Sequence, residues 1–99
     1  MPRKLVHDKA AEADLIGIWV YSFENWGEVQ AERYTDGLER GIDELLRDPE
    51  SGKSRDALMP GYWSQRLQHH VVFYTFNDDE LRVRRVLHEV MDPTLHLGE

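Results

Sequence analysis

The side chains best suited to chemistry are five histidines (His7, His69, His70, His88 and His96) and a group of arginines in the second half of the chain. Cleaving a phosphodiester without a metal takes a general base, a general acid and a cation for the phosphate. His88, Arg85, Arg66 and Tyr74 supply those residue types. Arg85 and His88 are three residues apart, so on a regular strand they face opposite ways. A shared pocket would need a bulge or bend near the strand end. An endoribonuclease using His88 with Arg66 and Arg85 is therefore the alternative reading. His69 and His70 are adjacent and make poor joint metal ligands. The chain has no cysteine, which removes thiolate sites and disulfides. No phosphate-binding glycine loop, metalloprotease helix or nucleophile motif is present. We expect no catalytic residues, no metal and no cofactor.

The elements that would position these residues follow from periodicity. Residues 3–7 (RKLVH) read as a short strand. Asp8 suits the N-cap of a helix starting at Lys9, accepting backbone N–H bonds. Leu15, Ile18, Trp19, Ser22 and Trp26 form one helical stripe, and Gly27 suits a C-terminal cap. A second helix is predicted from about Glu28 to Arg47, with Ala31, Tyr34, Leu38, Ile42 and Leu45 on one face. Gly37 and Gly41 at the edge of that face would let another helix come close. The very short connection implies an antiparallel helical hairpin.

A loop follows from Asp48 to Gly61, marked by proline and glycine at both ends and long enough to be mobile or functional. From Tyr62 the period becomes two. Tyr62–Gln68, Val71–Phe76 and Leu81–His88 read as strands, with Asn77-Asp78-Asp79 as a turn. Val71–Phe76 is apolar on both faces and should be a central, covered strand. Leu81, Val83 and Leu87 should share one face. Leu95 and Leu97 should tuck the tail back. The expected fold is α+β: an N-terminal strand and a two-helix antiparallel hairpin packed on a mainly antiparallel sheet with a C-terminal three-strand meander.

A length of 99 residues sets one domain, residues 1–99. Hydrophobic residues at 40% and charged residues at 31% place the chain among folded proteins. The start lacks the apolar run of a signal peptide, and no stretch approaches the roughly 18 apolar residues of a membrane span. A cytoplasmic protein without membrane contact is expected. A net charge of −7 argues against general nucleic-acid binding. The charge is uneven. Asp8 to Glu50 holds 12 acidic and 4 basic residues, whereas Trp63 to His88 holds 4 basic and 3 acidic.

A binding role has a clearer signature. Ile16, Val20 and Phe23 widen the apolar arc of the first helix to about 200°. Two readings of that width stand side by side. The helix is sandwiched between its neighbour and the sheet, or part of the arc is open to a partner helix or strand. Trp19, Phe23 and Trp26 are of the type that dominates interfaces, and Trp63 adds another large aromatic at the loop exit.

Against that background, AEADLIGIWVYSFENWG (11–27) with QAERY (30–34) resembles the helical hairpin of ParE-type toxins of the RelE/ParE superfamily. DPESGKSRDALMPGYW (48–63), HHVVFYTF (69–76) and RVLHEVMDP (85–93) resemble the loop, central strand and C-terminal signature of that family. The resemblance implies the RelE/ParE-like fold and a non-enzymatic toxin that inhibits DNA gyrase by protein–protein contact. It implies a ParD-like antitoxin as neutralising partner in a hetero-oligomer, which leaves sequence-specific DNA binding to the antitoxin. A RelE-like, ribosome-dependent mRNA interferase is the corresponding alternative. The pattern departs at Trp63, His69 and Val90, where many relatives carry basic residues, while Arg66, Arg85 and His88 stay in register. The expected target contacts are Trp63, Arg66, Arg85, His88 and Met91. The expected antitoxin contacts are Ile16, Trp19, Val20 and Phe23.

Overall fold

The computed structural model describes residues 2–98. Strand β1 (Lys4–His7) leads into helix α1 (Lys9–Trp26), and helix α2 (Glu28–Arg47) follows after a single residue, Gly27. Gly27 has φ 91°, a value a side chain would strain. Its N–H caps α1 by donating to Phe23 O at 2.9 Å. A 3-10 turn (Pro49–Ser51) and a two-residue strand β2 (Lys53–Ser54) come next. Strands β3 (Trp63–Leu67), β4 (His70–Phe76) and β5 (Glu80–His88) form the meander, and a second 3-10 turn (Pro93–Leu95) precedes the tail. The helix and main-strand bounds match the sequence expectation to within a residue or so. The alternation of β-branched and aromatic residues and the glycine between the helices are strong local signals.

The five strands lie in the order β1-β5-β4-β3-β2. β1 pairs parallel with β5, and the other pairings are antiparallel. β5 is therefore an inner strand from Glu80 to Val83, while its Arg84–His88 half pairs with β4 alone among the described strands. The loop expected to be mobile or functional is tied down in part. Lys53 and Ser54 pair with Ser64 and Trp63, and Arg55 Nε donates to Ser64 Oγ at 2.8 Å. So short a strand leaves no periodic trace in sequence.

One face of the sheet packs on the helices. Ala11, Ile42 and Leu45 meet Val72, Tyr74, Leu81, Val83 and Val86 there. The opposite face carries Phe73, Leu87 and Leu97, with Met59, Tyr62 and Val71 against them. β4 thus has apolar cover on both sides, as its composition implies. A β-bulge corrects one sequence expectation. Phe73 opposes Arg85 while Tyr74 opposes Val83, so Arg84 is an inserted residue in β5. An insertion reverses the alternation beyond it. Val86 therefore joins Leu81 and Val83, and Leu87 crosses to the other face.

Four further expectations are corrected. Asp8 stands at the N-cap but makes no side-chain cap bond. Its carboxylate instead accepts from Arg82 at 3.0 Å and Arg84 at 3.2 Å, two cations that outbid neutral N–H groups. Gly37 and Gly41 admit no second helix. A Cβ at Gly41 would meet Leu67 Cδ2 at 2.6 Å, and one at Gly37 would meet Gln68 Nε2 at 2.8 Å. Both glycines let the end of β3 approach α2. Trp26 ends its helical stripe exposed. Leu97 tucks in, but Leu95 stays exposed.

Gly52 shows how closely the loop is drawn in. A Cβ there would meet the Tyr74 hydroxyl and Ser64 O at 2.7 Å, and the second is backbone that has little room to yield. Tyr74 Oη donates to Pro49 O at 2.5 Å, and burial pushes the phenol up to about 12. Gly52→Ala is expected to destabilise the fold by about 1–3 kcal/mol, the usual cost of overpacking. Each kcal/mol should lower Tm by roughly 4–8 °C, read by thermal denaturation.

Candidate functional site

The turn between β3 and β4 consists of Gln68 and His69. Gln68 has φ 59°, in the left-handed region that a side chain enters at a cost of roughly 1–2 kcal/mol. Tyr34 of α2 holds it there. Gln68 Nε2 donates to Tyr34 O at 2.9 Å, and His69 N donates to the Tyr34 hydroxyl at 3.1 Å. That hydroxyl also lies 2.6 Å from His70 Nδ1. Burial raises the Tyr34 pKa, so the phenol keeps its proton and donates it to a neutral imidazole. His70 is correspondingly lowered to about 4, by burial first and then by the neighbouring His88 and His69.

His70 lies directly across from His88, with their rings edge to face at 5.1 Å. The chain just past β5 closes this end of the sheet. Glu89 accepts from Arg66 Nη2 at 2.9 Å and pairs with His69 Nδ1 at 2.7 Å. Those contacts, His69 first, hold the Glu89 carboxyl below its ordinary range. His70, His88 and Met91 form one wall of an open groove of about 1190 Å³. The facing wall comes from α1, through Gly17, Ile18, Tyr21 and Trp26.

Asp14 of α1 secures that wall to β5. Its Oδ2 accepts from Arg85 Nε at 2.8 Å, and its Oδ1 accepts from Arg85 Nη2 at 2.9 Å. Oδ2 also accepts from Val86 N at 2.9 Å. Arg85 Nη1 donates to His96 O at 3.0 Å, which draws the tail in. The two side chains are only 12% and 15% exposed.

The groups considered for phosphodiester chemistry do not converge. Tyr74 is buried on Pro49, Arg85 pairs with Asp14 and Arg66 pairs with Glu89. The bulge falls before Arg85. From Arg85 to His88 the pairing with β4 runs unbroken, so those two residues still alternate. Among the described residues, no group of three His, Asp or Glu side chains could hold a metal ion.

Of the expected target contacts, Arg66, His88 and Met91 gather at one end of the sheet. Arg85 lies largely buried behind them. Trp63 sits toward the other end of β3, its ring 5.4 Å from Phe76. The expected antitoxin contacts form an outward ridge on α1. Ile16 is 66% exposed, Val20 41% and Phe23 45%, and Trp19 stacks on Phe23 at 5.2 Å. This ridge is separate from the groove. Asp14, Tyr34 and Gln68 were not singled out in sequence as site residues. Asp14 left one trace, as an acid beside the apolar positions Ala11, Leu15 and Ile18.

Residues 5–93 match the family model described as the ParE toxin of the type II toxin–antitoxin system, parDE. The chain is 37% identical to Toxin ParE1 of Caulobacter vibrioides, over 91% of this chain and 93% of that one. It is 34% identical to Toxin ParE1 of Mycobacterium tuberculosis, over 93% of this chain and 95% of that one. Its fold is similar to a chain of the chromosomal ParDE TA system from P. aeruginosa. That match has TM-score 0.77 and 18% identity, and it covers 88% of this chain and 96% of that one.

Asp14→Ala would strand the Arg85 guanidinium and the Val86 N–H. We expect a loss of about 3–5 kcal/mol, measured by urea denaturation. His70 gives a pH signature. Its unfolded pKa of 6.5 exceeds the folded value of about 4. Between them the unfolded chain binds more protons, so this contribution to stability is complete above pH 6.5 and is lost as pH falls toward 4. His70→Gln should flatten the dependence of Tm on pH within that window.

Proposed function

Because the chain belongs to the ParE family of toxins from type II toxin–antitoxin systems, we propose that it inhibits DNA gyrase by protein–protein contact and is neutralised by a ParD-like antitoxin. Binding is favoured over catalysis by one observation above others. Arg85, the cation nearest His88 in sequence, is enclosed in a two-bond pair with Asp14. A phosphate would have to break that pair to use it. His88 is left facing a groove whose nearby histidine, His70, is held neutral and bonded to Tyr34.

In this reading the target meets the end of the sheet at Arg66, His88 and Met91. Arg85 holds β5 in place behind them, and Trp63 extends the contact along β3. The antitoxin covers the α1 ridge of Ile16, Trp19, Val20 and Phe23. Large exposed apolar side chains on one helical stripe are what a partner helix needs as anchors. Among the described residues no helix is long and apolar enough to cross a membrane.

Expression of the chain alone should stop growth, with cleaved chromosomal DNA accumulating and a DNA-damage response. The purified chain should inhibit gyrase supercoiling. The double substitution Arg66→Ala/His88→Ala should weaken that inhibition at least about tenfold, equivalent to ~1.4 kcal/mol, at unchanged Tm. Intact chromosomes together with cut ribosome-bound mRNA, abolished by His88→Ala, would replace this reading with the mRNA interferase. Co-expression of a ParD-like antitoxin should restore growth to the wild type and fail to restore it to the Val20→Asp/Phe23→Asp variant.

A further inference from the structure

The ridge on α1 is bordered by carboxylates that the fold leaves unused. Glu28, Glu32, Asp36, Glu39 and Asp43 are all exposed on α2. Successive members are three or four residues apart, so all five fall within one narrow arc of the helix. Among the described residues, none of them joins an ion pair. Even Arg40 and Arg47, four residues beyond Asp36 and Asp43, stay outside ion-pair distance. Like charges at this spacing destabilise a helix, so the stripe does not serve the stability of α2.

The stripe and the ridge are neighbours. Glu39 and Asp43 of α2 line the same hollow of about 470 Å³ as Glu12, Leu15 and Ile16 of α1. The two helices form a hairpin through Gly27, so the remaining acids climb α2 beside Val20 and Phe23. An apolar ridge is therefore flanked along its length by a wall of one sign. With the stripe included, residues 8–50 carry 12 acidic and 4 basic side chains, so the helical half as a whole is acidic.

We infer that the partner segment seated on the α1 ridge is a basic amphipathic helix, with apolar anchors spaced to meet Ile16, Val20 and Phe23 and with lysines or arginines four apart facing the α2 carboxylates. This rests on the assignment of that ridge to a neutralising partner and adds the chemistry by which the partner is chosen. The apolar contact supplies affinity, and the charge stripe sets orientation and excludes acidic helices of the same apolar pattern. The attraction is between exposed groups, so it weakens as salt rises.

The probes are two synthetic helical peptides of roughly 18 residues, about the length of α1. Both carry leucines at the same helical positions. One has lysines on the flanks and the other has glutamates at those places. Each is titrated into the full chain by calorimetry at low and high salt. The lysine peptide should bind at least tenfold more tightly than the glutamate peptide, with the gap closing at high salt. The variant Glu32→Lys/Asp36→Lys/Glu39→Lys should invert the order. Its Tm should not fall, because the substitutions relieve repulsion at exposed positions. Val20→Asp/Phe23→Asp should remove binding of both peptides. Equal binding of the two peptides, or an order unchanged by charge reversal, overturns the basic partner. That result leaves the antitoxin's place on the ridge to the growth-rescue experiment, which fails or succeeds separately.

Discussion

The pair between Asp14 and Arg85 ties the helical layer to the sheet at the point where the sheet is irregular. Burying a carboxylate and a guanidinium is unfavourable unless nearly all their hydrogen-bonding capacity is met. Here Arg85 makes two bonds to Asp14 and one to His96 O, and Asp14 also accepts from Val86 N. The Val86 bond is backbone, so the position of α1 is set against the chain of β5 and not only against its side chains. The inserted residue Arg84 lies just upstream, where it too reaches α1's leading end through Asp8. The groove wall, the bulge and the tail thus meet at one buried charge pair.

The second constraint lies at the far side of the groove. Gly37 and Gly41 remove the side chains that would hold α2 away from β3. With α2 drawn close, Tyr34 can bond three successive residues, Gln68, His69 and His70. A two-residue turn with a glutamine at φ 59° needs such support. His70 stays neutral chiefly because it is buried, and after that because of His88 and His69, while its ring lies edge to face with that of His88. Tyr34 of α2, whose hydroxyl lies 2.6 Å from His70 Nδ1, is part of the packing around that groove residue.

The chain presents its partners with two unlike surfaces. One is the groove and sheet end, polar at its rim and organised by histidines, Arg66 and Glu89. The other is the outer face of the helical hairpin, apolar along α1 and acidic along α2. A toxin neutralised by a partner must keep apolar surface available until that partner arrives. Ile16, Val20 and Phe23 are exposed, which is compatible with that requirement.

Helix spans, strand spans, the glycine between the helices and the double-sided burial of β4 were all legible in the sequence. Each depends on residues a few positions apart, where a period of 3.6 or 2 leaves a direct trace. The broad apolar arc of α1 left two readings open, and Ile16, Val20 and Phe23 are exposed rather than sandwiched. Other features lay beyond any local signal. Periodicity placed Leu87 with Leu81 and Val83, but one inserted residue reversed the parity and sent it to the opposite face. Arg85 was expected at a target contact, and its pairing with Asp14 left no local signal because that partner is 71 residues away. Gly37 and Gly41 announced a close approach, but to another helix rather than to Leu67 and Gln68 at the end of β3. Local pattern determined which elements form and which faces they bury. The partner of each polar or small residue was decided only when distant segments met, since burial, charge pairing and steric room are properties of the packed chain.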